Sequence, residues 1–179
     1  MKIRLAGEIT KDSIVDGEGL RNVIWTQGCN WHCKECQNQE TWDLRGGFLK
    51  DVDVLLSELL KSPNDITFSG GDPFLQPKEC AYLAKKLKEQ GKNIWSYTGF
   101  VFEDLLELCH HNINIKNFLD NIDVLVDGKF MIELKSMECP FRGSSNQRLI
   151  DLPRSLKKDK VVLYKLKKEK NKKQKKIYI

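Results

Sequence analysis

Short apolar runs and amphipathic stretches alternate through the middle of this chain, and each apolar run ends in a polar or glycine-bearing loop. Asn22–Thr26 predicts a strand rich in β-branched and aromatic residues, running into Gln27-Gly28-Cys29. Val52, Leu55, Leu56, Leu59 and Leu60 recur at helical spacing, so 51–61 predicts a helix, broken by Pro63-Asn64-Asp65. Ile66–Ser69 predicts a short strand ending in Gly70-Gly71-Asp72-Pro73. Cys80, Leu83, Ala84 and Leu87 mark a second helix, from near Gln76-Pro77 to Gly91. Asn93–Tyr97 predicts the third strand, followed by Thr98-Gly99, and Phe102, Leu105, Leu106 and Cys109 form a third helical face. Ile122–Val126 is apolar almost throughout, as a central strand of a parallel sheet must be, and ends at Asp127-Gly128-Lys129.

Strand and helix in this order require right-handed crossovers and a parallel α/β sheet. The pattern weakens after residue 130, with Val161–Leu166 reading as one last strand. The polar segments Gln27–Cys36, Ser69–Pro73, Tyr97–Phe100 and Asp127–Lys129 all follow the carboxyl ends of predicted strands. That edge is where parallel sheets bind ligands, so the arrangement predicts an enzyme scaffold. At 179 residues the chain suits one domain but is too short for a complete (β/α)₈ barrel, which needs roughly 200.

Three of the six cysteines crowd into one loop, Cys29-x3-Cys33-x2-Cys36. Cys80 and Cys109 fall on apolar helix faces and read as core residues; Cys139 has no assigned role. A secreted disulfide framework would spread its cysteines, so the pattern predicts a metal site and buried thiols in a reducing cytoplasm. A structural zinc site wants four ligands, usually in two separated pairs; His32 is the candidate fourth, with no second pair near it. Three thiolates on a four-iron cluster would leave one iron open to a small molecule. Spacing alone leaves an iron–sulfur site, a zinc site and ordinary buried cysteines all in play.

The triplet after the first strand, with Ser69-Gly70-Gly71-Asp72-Pro73 after the second, resembles the radical S-adenosylmethionine superfamily. The match is closer to the activating enzymes of anaerobic ribonucleoside-triphosphate reductase. It runs through Asp16-Gly17-Glu18-Gly19-Leu20-Arg21, Gly28-Cys29 to Cys36-Gln37-Asn38 with Thr41-Trp42, and the Gly-Gly loop. Trp95–Phe100, Asp123–Phe130 and Arg142-Gly143-Ser144-Ser145-Asn146-Gln147-Arg148 complete it, so the matching segments span residues 16 to 148.

The resemblance implies a truncated β/α barrel with a parallel sheet. It also implies a [4Fe-4S] cluster on Cys29, Cys33 and Cys36, whose open iron is chelated by S-adenosyl-L-methionine. Reductive cleavage would give a 5′-deoxyadenosyl radical that takes a hydrogen atom from a glycine of the reductase large subunit, with flavodoxin or ferredoxin as external electron donor. The same resemblance places backbone groups of Glu35, Cys36 and Gln37 near the adenine, and Gly70, Gly71 and Asp72 around the ligand's amino acid end, Asp72 accepting from its ammonium. Glu35 stands where the superfamily often carries an aromatic residue, so a stacking contact from that slot is absent. A barrel left open on one side would admit a protein loop.

Each of these segments also has a plainer reading. Gly-Gly-Asp-Pro is good turn chemistry in its own right. Tyr97-Thr98-Gly99 reads either as nucleoside lining or as a strand end, and Lys129 either as a ligand contact or as a solvated turn lysine. His110-His111 suits a helix C-terminus. Arg142 and Asn146 match family positions without a derivable role. A small-molecule radical enzyme such as a 7-carboxy-7-deazaguanine synthase shares both loops, but the Arg142–Arg148 segment argues against it. A zinc or iron–sulfur nucleic-acid-binding module would have to use the basic end of the chain. There, between Lys157 and Ile179, eleven lysines stand against Asp159 and Glu169, a local +9 within a net +5, so the first 156 residues are mildly acidic. Only Tyr164 and Tyr178 interleave the lysines, and base stacking needs more aromatic platforms. The expected division is a catalytic domain over 1–156 and a lysine-rich tail over 157–179, disordered or edge-strand, with nucleic acid an improbable partner. No apolar stretch is long enough to span a membrane.

Overall fold

The computed structural model describes residues 1–167. The chain forms β1 (Lys2–Leu5), β2 (Thr10–Ser13), β3 (Arg21–Thr26), β4 (Phe48–Asp51), α1 (Val52–Leu59), β5 (Asp65–Gly70) and α2 (Pro77–Glu89). Then follow β6 (Ile94–Tyr97), α3 (Phe102–Cys109), α4 (Ile113–Leu119), β7 (Val124–Asp127), β8 (Arg148–Asp151) and α5 (Leu152–Lys158). Among the described residues one sheet holds the eight strands in the order β4-β1-β3-β5-β6-β7-β8, with β2 pairing on β3 beside β1. The centre, β3-β5-β6-β7, is parallel, as the strand–helix alternation predicts. β1, β2 and β4 on one flank and β8 on the other are antiparallel. The pairing path ends at β4 and β8, so the sheet stays open.

Each of the five helices named above contributes to a single apolar cluster, with Ile24, Ile66, Phe68, Ile94, Leu125 and Ile150 rising from the strands to meet them. Their neighbours in each strand point to the opposite face, where Trp95, Val124, Val126 and Leu149 are covered by loops through Phe141 and Tyr164. Helices on one face only are the barrel arrangement rather than the doubly wound one. An open sheet of that kind is a partial β/α barrel.

The antiparallel flanks and two helices, α4 and α5, are additions to the sequence expectation. β2 reads Thr-Lys-Asp-Ser and carries no apolar residue to mark it. Val161–Leu166 is a correction: it forms one bridge, Leu163 to Ile150, with backbone bonds to Leu149 and Asp151, rather than a full strand. The first part of the expected tail is built into the body, since α5 runs to Lys158 and Tyr164 stacks edge-on against Trp95. The remaining lysines, 168–179, lie outside the described residues. No helix among the described residues is long and apolar enough to cross a membrane.

Candidate functional site

The cysteine loop leaves the carboxyl end of β3 and is clamped by the segment that returns beneath it. Gly28 N donates to Thr41 O at 2.8 Å and Cys29 N to Trp42 O at 3.2 Å. Gln27, buried, donates through Nε2 to the carbonyls of Glu40 and Asp43. Thr41 and Trp42 of the sequence motif therefore support the loop from outside. Within it, His32 (φ 47°) and Glu35 (φ 55°) take left-handed backbone conformations that disfavour side chains, and Cys36 N bonds Cys33 O at 3.0 Å. Two left-handed residues within four positions turn the chain sharply between the cysteines.

All three are free thiols, Cys29 buried and Cys33 and Cys36 half-buried. Burial pushes the Cys29 thiol up to about 11, with repulsion from Asp72 and the other two sulfurs adding to it, and burial raises Cys33 too. Loading a metal must therefore displace protons. The ring of His32, the sequence's candidate fourth ligand, lies against Trp42 with centroids 4.9 Å apart. No three His, Cys, Asp or Glu side chains among the described residues are grouped as ligands of one metal ion. A cubane cluster makes a different demand, because each thiolate holds its own iron and the sulfurs stand apart. Three soft ligands on one wound loop fit such a cluster better than a zinc ion.

The loop after β5 lies directly on the cysteine loop. Gly71 N donates to Thr26 O at 2.7 Å and Asp72 N to Gly28 O at 2.8 Å. A Cβ on Gly71 would stand 2.2 Å from Gly28 O, and one on Gly70 (φ 100°) 2.5 Å from Thr26 O. The two glycines thus allow backbone to meet backbone. The sequence expectation had them approaching a ligand; the geometry brings them first against the chain itself.

Asp72 is fully buried and surrounded by donors. Trp31 Nε1 reaches Oδ2 at 2.6 Å and Gly99 N the same oxygen at 3.0 Å. Thr98 Oγ1 lies 3.0 Å from both oxygens, and Phe74 N donates to Oδ1 at 3.0 Å. Burial pushes this carboxyl up, while the bonds from Trp31, Gly99, Phe74 and Thr98 pull it back towards the charged form. One carboxylate therefore joins the cysteine loop to the loops after β5 and β6. Asp72→Asn, which sets an amide donor against these donors, is expected to lower stability by about 1–3 kcal/mol, read as an earlier midpoint in urea denaturation.

Trp31 had no signal in the sequence beyond its place between two cysteines. Its indole covers Gly99, where a Cβ would lie 2.3 Å away, and meets Phe100 edge-on at 4.7 Å. Lys129 Nζ sits 4.3 Å over the ring, a cation–π contact. A cavity of about 470 Å³ opens here, lined by Trp31, Gly99, Val101, Gly128, Lys129 and Asn146 among others. Glu35 and Gln37 are exposed beside half-buried Cys36. Tyr97 turns away, donating to Phe141 O at 2.9 Å, so of the Tyr97-Thr98-Gly99 segment only Thr98 and Gly99 meet the site.

The segment 142–148 folds onto the turn after β7. Gln147 accepts from Gly143 N and donates to Gly128 O at 3.0 Å; Asn146 Nδ2 donates to Lys129 O at 2.8 Å. Arg142 donates to Gln147 O, and Arg148 pairs with buried Asp127. In this structure Arg142 and Asn146 brace the turn that carries Lys129. Cys80 is buried in the helix-side core with Cys109 packed against it, and His110 caps α3.

Residues 15–150 match the family described as a 4Fe-4S single cluster domain. Among curated proteins, the anaerobic ribonucleoside-triphosphate reductase-activating protein of enterobacteria phage T4 is 38% identical over 144 residues, 75% of this chain and 86% of that protein. The proteins of the same name from Escherichia coli K12 and Haemophilus influenzae are 34% and 32% identical, over 75% of this chain and 90% and 89% of their own lengths. The crystal structure of QueE from Escherichia coli overlaps 55% of this chain and 52% of its own at 17% identity and a TM-score of 0.43, too loose a likeness to weigh.

Proposed function

Because the chain belongs to the 4Fe-4S single cluster domain family and to the anaerobic ribonucleoside-triphosphate reductase-activating proteins, we propose that it activates such a reductase by installing a glycyl radical on it. The observation that carries the reading is the single wound loop of three free thiols, set at the carboxyl edge of an open sheet and joined through Trp31 to the Asp72 carboxylate. A [4Fe-4S] cluster and S-adenosylmethionine, when bound, supply reductive cleavage of a sulfonium to a carbon radical able to take a hydrogen atom from a glycine Cα.

The chain's own part is positioning. Cys29, Cys33 and Cys36 would hold three irons, and the wound loop sets their spacing. Glu35 and Gln37 are exposed on that loop, and the backbone groups beside Cys36 that are not spent on Cys33 O would meet an adenine in this reading. Gly70 and Gly71 press the Asp72 loop against the cysteine loop, and Asp72 is the carboxylate that would receive the ligand's ammonium in this reading. The open sheet leaves a path for the reductase segment that carries the glycine. The large subunit of the reductase is the partner in this reading, and a flavodoxin or ferredoxin supplies the electron.

The test is anaerobic reconstitution with iron and sulfide. The brown protein, given dithionite and S-adenosylmethionine, is expected to release 5′-deoxyadenosine, and with a partner reductase to produce a glycyl radical signal in electron paramagnetic resonance. A protein that takes up zinc but no iron, or that loads its cluster without cleaving S-adenosylmethionine, would overturn the reading.

A further inference from the structure

Asp72 presents a contradiction that only one of its partners can relieve. The reading above, on which this inference rests, asks Asp72 to receive an ammonium group. Yet Trp31, Gly99, Thr98 and Phe74 already engage both of its oxygens. Phe74 donates from the turn that Asp72 itself caps and Gly99 from backbone, and the Thr98 hydroxyl is held in place by accepting from Phe100 N at 3.1 Å. None of these can leave without undoing the turn it belongs to. Trp31 is different. It is half-buried, stands on a loop outside the sheet, and precedes His32 at φ 47°.

We propose that Trp31 is a displaceable latch, holding the Asp72 carboxylate and covering Gly99 until the α-ammonium of S-adenosylmethionine takes its place. The exchange is favourable for a stated reason. An ammonium–carboxylate bond is charge-assisted, whereas the indole N–H is a neutral donor. The displaced ring has the adjoining cavity to move into, where Lys129 already lies over its face. The latch also makes the amino group a condition of entry, because a ligand without an ammonium has nothing stronger to offer Asp72 than the indole it must expel. Binding is then weaker than the pocket alone would allow, since part of the interaction opens the latch.

The sign of one measurement tests this. Cluster-loaded Trp31→Phe keeps an aromatic ring but loses the N–H donor. Equilibrium dialysis is expected to show it binding S-adenosylmethionine about five- to tenfold more tightly than the parent protein. A residue that instead contacts or positions the ligand would weaken binding when changed, so an unchanged or weaker affinity overturns the latch while leaving the proposed function intact. No binding by either protein overturns both. A second measurement covers the case in which the variant fails to fold or to hold iron. Protein labelled with 5-fluorotryptophan has its Trp25, Trp42 and Trp95 signals assigned by single Phe substitutions. The remaining ¹⁹F signal, from Trp31, should shift when S-adenosylmethionine binds, and a stationary signal with ligand bound overturns the proposal.

Discussion

Cys33→Ala is expected to give a folded, colourless protein that holds no cluster and leaves its partner without a glycyl radical. The fold does not depend on the missing sulfur. The loop is held by backbone bonds from Gly28 and Cys29, by the Gln27 side chain and by the Cys33 carbonyl, and the Cys33 thiol adds one backbone contact, from Phe130. Circular dichroism and the urea midpoint should therefore stay close to those of the parent. Iron content and visible absorbance should fall to background, because two thiolates cannot retain a cluster that three hold with one corner already open. Cys29→Ala and Cys36→Ala should behave alike. Cys80→Ala provides the contrast: that thiol is fully buried among α2 and its neighbours, so its loss should cost about 1–2 kcal/mol of stability and no iron. Normal iron in Cys33→Ala would remove the ligand assignment.

Gly71→Ala is expected to unseat the cysteine loop with a single methyl group. The added carbon would lie 2.2 Å from Gly28 O and 2.7 Å from Gly28 C, backbone atoms that cannot move without pulling the cysteine loop off its support. The Gly71–Thr26 and Asp72–Gly28 bonds would go with it. A loss of about 3 kcal/mol, or roughly 6–12 °C in Tm, follows from overpacking and the broken bonds together, along with failure to load iron. Gly99→Ala separates this from a general intolerance of methyl groups. Its obstruction is the Trp31 indole, a side chain that can rotate away, so its stability loss should be clearly smaller. Equal melting temperatures for the two variants would show that the backbone contact does not hold the loops together.

The parallel heart of the sheet was legible because its elements carry long-range signals in local form. Val124–Val126 is apolar on both faces, and Leu83, Ala84 and Leu87 recur at the helical period. The flanks were illegible for the opposite reason. β2 is polar throughout, and β1 and β4 are four residues long with charged residues among them, so pairing rather than pattern makes them strands. The cysteines could be found from spacing, and the glycines from their place after a strand. The reason for the glycines could not, since it depends on a carbonyl more than forty positions away. Trp31 was missed altogether. Nothing in Asn-Trp-His marks it, and each partner that gives it a role lies far along the chain, at Asp72, Gly99, Phe100 and Lys129.

That scattering has a consequence for how the protein is made. The three thiols leave the ribosome first, and the residues that cover and brace them follow only as β5, β6 and β7 are completed. At ~5–20 residues per second the wait lasts several seconds, during which Cys29, Cys33 and Cys36 have no floor beneath them and no lid above. A ribosome that stalls before Lys129 therefore leaves a nascent product whose three thiols lack the cover that the finished fold gives them.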